Sequence, residues 1–412
     1  MANTLVTTDM ITRAALAVAH EKCSFLGTIN RAYDDSFAKG GGKIGDTLRI
    51  RLPNQYTRTQ GSRVMSVQQQ NEASTTATVA TQDHVDMSFN SAELALSIEE
   101  LTERYIEPAV AVLVSGIESD VLQDVTKGVY QNVGTAGTVV GASGDISAIG
   151  NARAKLNQQL APKGGNRFVQ MDSVTMGSVS NGIKSLFHEK DQIEEAFREG
   201  YITRNQMATF YENERTWSMV NGSDVTGGTD AAAAVTDGGS TVAMATDIAV
   251  SAQKVGQIFT IAGVYDCHPE TKQAYSHLKQ FTITAIGAVN STVSPTIYLG
   301  NSASTAAKQN VCSSTGAKLA TTDFNSQVVT FYGSASTSYR ANLMYHKDFA
   351  TFITADLPIM ADAAKCVRRQ KDGLSLRVWQ QSDIRSDELL MRIDILYGWK
   401  LLRPEWACRI SN

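Results

Sequence analysis

The longest regular pattern in the chain predicts one long helix and reads SIEELTERYIEPAVAVLVSGIESDVLQDVTKGVYQ (residues 97–131). It opens at Ser97 with a Ser-x-x-Glu capping box, which is typical of a helix start. Apolar residues then recur every three or four positions, the spacing of an amphipathic helix. At 1.5 Å per residue, about 35 residues span roughly 50 Å, which is longer than a compact domain requires. Pro108 is expected to bend this helix, because proline lacks the N–H that an interior turn uses.

Upstream of this helix, two alternating segments predict an extended β-hairpin. The segment DTLRIRL (residues 46–52) places apolar and basic side chains on opposite faces, and alternation resumes across residues 85–89. The polar stretch 53–74 would form the tip. A lone hairpin is only marginally stable in water, so this one needs a surface to lie on. Residues 1–40 are expected to form an extended or partly helical arm.

Downstream of the long helix, the chain predicts a mixed α/β region interrupted by an all-β insert. Composition shifts to Gly, Ser, Thr, Ala and Asp across residues 221–246, and short apolar strands with turn residues follow to about residue 340. Regular short strands of this kind favour a small barrel or sandwich. The other predicted elements are helices at 146–160, 181–188 and 191–199, and strands at 167–171, 374–379, 389–399 and 405–410.

Composition and charge exclude several classes of protein. A length of 412 residues suggests two or three domains, or one core with a large insertion. The formal net charge is −4, which argues against a dedicated nucleic-acid binder and against a disordered acidic chain. The five cysteines form no CxxC pair, so we expect free thiols in a reducing cytoplasm. Neither a signal peptide nor a membrane-spanning run is expected.

No constellation typical of catalysis or metal binding is found in the sequence. Gly40–Lys43 lacks the spacing and the Ser or Thr of a phosphate-binding loop. The six histidines are scattered, and the adjacent Cys267 and His268 would point to opposite faces of a strand. We therefore expect no enzyme, no cofactor and no metal. A long helix, a long hairpin and an arm cannot all be covered by one core, which indicates a protein that interlocks with copies of itself.

The order of these elements, and five segments in particular, resemble a known family. The segments are KIGDTLRIRLP (43–53), LTERYIEPA (101–109), LNQQLAPKGGNRFV (156–169), EEAFREGYITRNQMATFYE (194–212) and RIDILYGWKLLRPEWACRI (392–410). The chain is similar to capsid proteins with the Hong Kong 97 fold, and more specifically to the P22-type coat proteins of short-tailed bacteriophages.

The resemblance implies an α+β fold of the Hong Kong 97 capsid type with an inserted small all-β barrel domain. It divides the chain into an N-terminal arm (1–40), an extended β-hairpin loop (41–92), a spine helix (93–135), the first part of an apical domain (136–219), the inserted barrel (220–340), the second part of the apical domain (341–372) and C-terminal strands (373–412).

The resemblance also implies a function, that of a major capsid protein of the virion. Copies would form pentamers and hexamers of an icosahedral shell around double-stranded DNA, and the shell would expand on maturation. The implied partners are other copies, a scaffolding protein and a portal protein, with synthesis in the host bacterial cytoplasm and no membrane. A near-neutral charge suits a shell through which DNA must slide. The alternatives left open are an encapsulin-like nanocompartment shell and a phage tail protein.

Two sets of charged residues are candidates for contacts between subunits. Basic residues of the hairpin would meet acidic residues at the start of a neighbour's long helix, although solvated arginines remain an equal alternative. Acidic residues of the loop that opens the insert would contact another capsomer, or would simply be solvated. The candidates are Arg49, Arg51, Arg58 and Arg63; Glu99, Glu100 and Glu103; and Asp224, Asp230 and Asp237.

Overall fold

The computed structural model divides the chain into two compact units. Unit 1 comprises residues 1–50, 75–121 and 350–402, and unit 2 comprises residues 51–74, 122–349 and 403–412. The structure describes residues 8–31, 45, 47–61, 64–65, 67–68, 72–90, 102–142, 146–183, 204–225, 235–243, 252–287, 290–325, 327–360, 365–371, 374–383, 385 and 388–412.

The described residues form a strand-rich α+β fold, so the predicted fold class is confirmed at that level. The helices are α1 (Thr8–Lys22), α2 (Glu107–Gly128), α3 (Ser147–Gln158) and α4 (Ser173–Ile183), with a π-helical turn at Thr102–Ile106 and 3₁₀ turns at Ala306–Lys308, Thr321–Phe324, Lys347–Phe349 and Pro404–Trp406. The strands are β1 (Thr47–Arg51), β2 (Ser74–Thr78), β3 (Thr81–Asn90), β4 (Asn132–Val133), β5 (Arg167–Met171), β6 (Arg204–Asn205), β7 (Ala208–Glu212), β8 (Trp217–Val220), β9 (Gly239–Ala243), β10 (Ile258–Cys267), β11 (Ala274–Ile286), β12 (Asn290–Ile297), β13 (Val311–Cys312), β14 (Val329–Phe331), β15 (Ser338–His346), β16 (Ala350–Ala355), β17 (Lys365–Lys371), β18 (Leu374–Asp383), β19 (Glu388–Leu401) and β20 (Ala407–Ser411).

A five-stranded antiparallel sheet forms the centre of unit 1. Its longest strand, β19, pairs with β3, β16 and β18, and β17 extends the sheet beyond β18. Arg377 on β18 and Asp394 on β19 form a buried ion pair within this sheet. The structure therefore adds one strand, β17, to the three predicted near the C-terminus. Strand β17 was not predicted because its basic sequence KCVRRQK shows little apolar alternation.

The predicted hairpin is wrong in its second strand. The alternating segment around Val85 is a strand, β3, but β3 pairs with β19. The strand that returns alongside β1 is β2, whose sequence STTAT has no large apolar residue. Threonine favours strands because its branched side chain fits a pleated surface, and this signal is missed when only apolar alternation is counted.

The N-terminal helix α1 is an integral part of unit 1. It packs on β17 and β18 and buries residues three or four positions apart, which confirms that the predicted arm is partly helical. The Asp9 carboxylate accepts a 2.6 Å hydrogen bond from Arg369 Nε on β17. Glu118 of α2, fully buried at 0% exposure, accepts hydrogen bonds from Ser24 Oγ (2.9 Å) and from the Phe25 N–H. These contacts fix both ends of the segment that the sequence placed in a partly extended arm.

The long helical pattern is confirmed from Thr102 to Gly128, three residues before its predicted end, and residues 97–101 lie outside the described part. Its stripe is buried as predicted, with Val110, Ile117, Val121 and Val125 at the centre. Pro108 lies in the first turn of α2, directly after the π-helical turn. Proline is tolerated there because the first N–H groups of a helix have no intrahelical acceptor. A bend was expected at Pro108. The structure instead changes there from a π-helical turn to an α-helix.

Unit 2 contains two sheets. The first runs in the order β4-β20-β15-β5-β7-β6, with β8 also paired to β15, and packs against α3 and α4 through one apolar cluster. The second runs β13-β10-β11-β12-β9, with β14 also paired to β10, and has a separate apolar cluster. Residues 184–203 lie outside the described part, and with them the predicted helix 191–199 and most of 181–188. Residues 181–183 end α4, a helix that the sequence analysis did not predict.

Candidate functional site

One buried arginine joins three segments of unit 2. Arg409 on β20, only 1% exposed, donates from Nη1 to the Gly256 carbonyl (2.6 Å) and from Nη2 to the Lys127 carbonyl (2.8 Å) and Thr282 Oγ1 (3.0 Å). Its guanidinium lies 5.5 Å from the ring centre of Trp217. Burial lowers the pKa of Arg409 to about 9, although the group remains protonated at neutral pH. The end of α2, strand β11 and strand β20 are held by a single side chain.

We call such a group of polar contacts between elements a joint, and Arg409 forms the first. The second is built around the buried carboxylate of Asp266 on β10. Its Oδ1 accepts from Lys279 Nζ at 2.7 Å, and its Oδ2 accepts from Gln159 Nε2 at 2.9 Å and faces His277 Nε2 at 3.4 Å. Lys279 is 1% exposed and lies 4.9 Å above the Tyr130 ring. Burial alone would raise the pKa of Asp266, but Lys279 and His277 outweigh it and hold that pKa well below its usual range. This joint connects the second sheet to the end of α3.

In a third joint, the side-chain amide of Gln280 pairs with the backbone of Asn132 on β4, as a neighbouring strand would. The Asn132 N–H donates to Gln280 Oε1 at 2.9 Å, and Gln280 Nε2 donates back to the Asn132 carbonyl at 3.0 Å. Nearby, the Tyr275 hydroxyl donates to the Gln158 carbonyl at 2.8 Å, and burial raises the pKa of Tyr275 to about 12. Together, the three joints fix β10 and β11 to the rest of unit 2 by buried polar contacts.

The residues of these joints were missed by the sequence analysis. The available signal was a charged residue inside an otherwise apolar strand, as at Asp266 in VYDC and Arg409 in ACRI. A charge in such a position is costly unless it is paired or hydrogen-bonded, so it marks a polar contact between elements. The sequence does not say which distant residue supplies the partner.

The four predicted arginines divide between strand β1 and the loop that follows it, residues 52–73. Arg49 and Arg51 are exposed on β1, and Arg51 forms a 3.2 Å ion pair with Glu72 of the loop. Arg58 is exposed and donates to Gln60. Arg63 lies outside the described residues. The contact of these arginines with a neighbouring subunit stays a prediction.

The same loop presents apolar side chains to solvent, a feature that the sequence analysis overlooked. Val64, Met65 and Val67 are 79%, 82% and 80% exposed. The loop is closed beneath them by Gln68, whose side-chain amide bonds both the N–H (2.9 Å) and the carbonyl of Thr57. A group of exposed apolar side chains close together in the sequence is typical of a surface that contacts protein.

The acidic candidates occupy different environments. Glu99 and Glu100 lie outside the described residues, and Glu103 lies in the π-helical turn before α2. Asp224 is half-buried, and Asp230 lies outside the described residues.

Asp237, just before β9, organises the loop that follows β12. Its carboxylate accepts from the Leu299 N–H (2.8 Å), the Asn301 N–H (3.1 Å) and Thr305 Oγ1 (2.6 Å). Burial opposes ionisation, but these hydrogen bonds win and lower the pKa of Asp237. Both carboxylate oxygens of Asp237 therefore already accept hydrogen bonds within the chain. Its contact with another capsomer stays a prediction.

Two features expected from other classes of protein were also sought. Within the described ranges, no group of three or more His, Cys, Asp or Glu side chains is placed to hold a metal ion. No described helix is both long enough and apolar enough to cross a membrane. Cys267, Cys312 and Cys408 are free thiols and buried, whereas the free thiol of Cys366 is half-buried.

Comparison with known proteins gives a family and several structures of similar fold. The family model described as "P22 coat protein - gene protein 5" matches residues 43–409. A chain of Mycobacterium phage Che8 is similar in structure, with 10% identity and a TM-score of 0.48 over 94% of this chain and 90% of that one. The capsid of Ralstonia phage GP4 has 7% identity and a TM-score of 0.45, over 95% of this chain and 91% of that one. The capsid of cyanophage P-SCSP1u has 10% identity and a TM-score of 0.43, over 90% of this chain and 84% of that one. No curated protein matches the sequence.

Proposed function

The chain belongs to the P22 coat protein family and is a major capsid protein that forms an icosahedral shell, and from this premise we propose how it does so. Copies assemble as pentamers and hexamers, with a scaffolding protein and around a portal protein, and the shell encloses double-stranded DNA and expands on maturation. The protein is made in the host bacterial cytoplasm and acts without catalysis. The observation that carries this proposal is the family match, which spans residues 43–409.

The near-neutral charge supports the proposed relation to DNA. A formal charge of −4 over 412 residues leaves no basic excess with which to neutralise phosphates. Each phosphate that a protein neutralises strengthens binding by releasing counterions, so a shell that must admit and release DNA is better without many such contacts. The protein would enclose the nucleic acid without gripping it.

We further propose the Hong Kong 97 capsid fold with the second sheet of unit 2 as its inserted barrel. The support is the distribution of its apolar cluster. Each of the six strands supplies at least one side chain to that single cluster, from Val242 on β9 to Phe331 on β14. A flat sheet would spread these side chains over a plane, whereas a strongly curved or closed sheet directs them to one interior.

The proposed assembly contacts of the β1–β2 loop are testable by charge reversal. The double variant R58E/R63E should leave the subunit folded and stop shell formation, because both positions would then repel the glutamates (Glu99, Glu100 and Glu103) proposed as partners on the neighbour. The matched control is R385E, since Arg385 is an exposed arginine outside the loop. Electron microscopy and size-exclusion chromatography of the expressed proteins give the readout. Normal shells from the double variant, or loss of shells from R385E as well, would contradict the proposed contact.

The proposed capsomer contacts of the insert need a narrower test than removal of the loop. Deleting residues 224–237 would also remove the hydrogen bonds by which Asp237 orders residues 299–305. The double variant D224N/D230N keeps Asp237 and removes two charges. It should yield shells that dissociate at lower urea than wild type while the free subunit unfolds at the same urea concentration. Equal shell stability would exclude this contact.

The kind of particle decides between the capsid and its alternatives. Negative-stain images of the chain expressed with and without a scaffolding protein should show closed icosahedral shells. Small shells of the encapsulin class or open tubes would overturn the proposed assembly.

A further inference from the structure

Two of the free cysteines lie on neighbouring strands of the second sheet in unit 2. Cys267 ends β10 and Cys312 ends β13, and the two strands pair antiparallel with Tyr265 opposite Cys312 and Asp266 opposite Val311. Side chains alternate between the faces of a sheet, so Cys267 and Cys312 point to the same face as diagonal neighbours. Both are buried.

The sulfur of Cys312 leans toward Cys267. Its Sγ lies 3.9 Å from the Tyr265 carbonyl oxygen and 3.8 Å from the Asp266 carbonyl oxygen, and the latter carbonyl is bonded directly to the Cys267 nitrogen. The neighbouring Cys312 thiol lowers the pKa of Cys267, whereas the Cys267 thiol and burial raise the pKa of Cys312. Cys267 is thus the better nucleophile of the pair, because the thiolate is the attacking species.

The backbone around the pair can accommodate a covalent bond. Diagonal neighbours in a regular sheet lie about 7–8 Å apart at Cα, just beyond the roughly 7 Å limit for a disulfide. Here the pairing of β10 with β11 shifts register between Tyr265 and Cys267, with the extra residues on β11, so the sheet is irregular at this point. Strand β13 has only two residues and lies at the edge of the sheet, where a small shift breaks few hydrogen bonds.

We propose that Cys267 and Cys312 form an intramolecular disulfide when the protein meets a low-molecular-weight disulfide. The Cys267 thiolate attacks one sulfur of the reagent, forms a mixed disulfide and releases one thiol. Cys312 then loses its proton, attacks the Cys267 sulfur and expels the second thiol. The protein loses two electrons and two protons, and the reagent gains both as two free thiols. Opening of the short strand β13 gives the reagent access to the buried pair.

The bond would fasten β13 to β10 and close the segment that carries β11 and β12. Cross-linking a segment of this length restricts the unfolded chain and therefore stabilises the folded one. The inference rests on no part of the proposed function, because it concerns a single subunit.

The test uses the reduced full-length protein. The protein is incubated with oxidised glutathione, alkylated, digested without reduction and mapped by mass spectrometry. We expect one linked peptide pair, joining Cys267 to Cys312 at two hydrogen masses below the sum of the free peptides. The unfolding temperature should rise by roughly 5–10 °C and return on addition of dithiothreitol.

Two variants serve as controls. C312S should lose both the linked peptide and the temperature shift, whereas C366S, altered on β17 of unit 1, should keep both. The proposal is overturned if wild type shows no linked pair while all thiols alkylate in urea, if glutathione stays attached to Cys267, or if the linkage involves another cysteine. Because the wild-type peptide map decides by itself, a poorly folded C312S does not affect the test.

Discussion

Replacing Arg409 with methionine should destabilise unit 2 more than the same change at Arg403, which also stacks on a tryptophan of unit 2. Methionine keeps most of the apolar stem and removes the guanidinium, so it isolates the polar contacts. Three buried or partly buried acceptors lose the guanidinium as a donor, namely the carbonyls of Lys127 and Gly256 and the hydroxyl of Thr282, although the Lys127 carbonyl keeps a 3.1 Å hydrogen bond from Thr282 Oγ1. Two of them are backbone groups, which no compensating substitution can remove.

The expected magnitude follows from two opposing effects. Charge-assisted hydrogen bonds contribute about 1.5–3 kcal/mol each, so three give a gross loss of roughly 4.5–9 kcal/mol. Taking the Arg409 charge out of water is itself unfavourable, as its lowered pKa of about 9 indicates, and the variant avoids that cost. We therefore expect R409M to lower the free energy of unfolding by about 3–5 kcal/mol.

The assay is urea unfolding of the unassembled subunit, followed by tryptophan fluorescence. Trp217 is a local reporter because its ring lies 5.5 Å from the Arg409 guanidinium. The matched control is R403M, since Arg403 also stacks on a tryptophan, Trp406, at 4.0 Å but is only half-buried. R403M should cost about 1 kcal/mol or less. If R409M unfolds within 1 kcal/mol of wild type, or if both variants lose the same amount, the central role assigned to Arg409 is refuted.

Three further predictions follow from buried contacts elsewhere in the molecule. E118A leaves the chain after α1 without its acceptor and should cost about 2–4 kcal/mol, seen as faster hydrogen exchange of α1. Because Lys279 and His277 hold the pKa of Asp266 below its unfolded value, this residue stabilises the fold above about pH 4 and less as pH falls further. D266N should therefore be less stable than wild type at pH 7, measured by urea midpoints, and should lose less on acidification. In G256A the added Cβ would overlap the Trp217 ring at a residue with φ +92°, so the melting temperature should fall by at least about 5 °C.

Each of these predictions has its own control. E118Q retains one acceptor oxygen and should recover about half of the loss; exchange in E118A equal to wild type would contradict the contact with Ser24 and Phe25. For Asp266, parallel urea midpoints of wild type and D266N between pH 2 and 7 would disprove the pH dependence. The control for G256A is G150A, where a Cβ meets nothing within 4 Å inside α3, and it should stabilise by roughly 0.5–1 kcal/mol.

Local patterns predicted the elements with clear periodicity and missed those without it. The apolar residues of α2 that recur every three or four positions are buried, as their spacing predicts. Arg167–Met171 is a strand that begins and ends at the predicted residues. The strands β2 and β17 were missed because threonine-rich and basic sequences carry little apolar alternation. Glu118 lies inside the apolar stripe of α2, and nothing in its neighbourhood indicates that Ser24 and Phe25 become its partners.

Some features of the candidate contact surface were also predictable from the sequence, and others were not. Composition and motif order indicated a protein that assembles with its own copies, and the arginines of the β1–β2 loop were visible as a group. The exposed Val64, Met65 and Val67 were not singled out, because their exposure depends on how the loop closes through Thr57 and Gln68.

The sequence by itself determined the family, the long helix and the near-neutral charge, because each of these is carried by residue type and spacing along the chain. The pairing of β3 with β19, the docking of α1 and the acceptors of Arg409 were decided only in three dimensions. Positions 127, 256 and 282 surround residue 409 although they are far apart in the chain. Periodicity reports which face of an element is apolar, but it carries no information on which distant element covers that face.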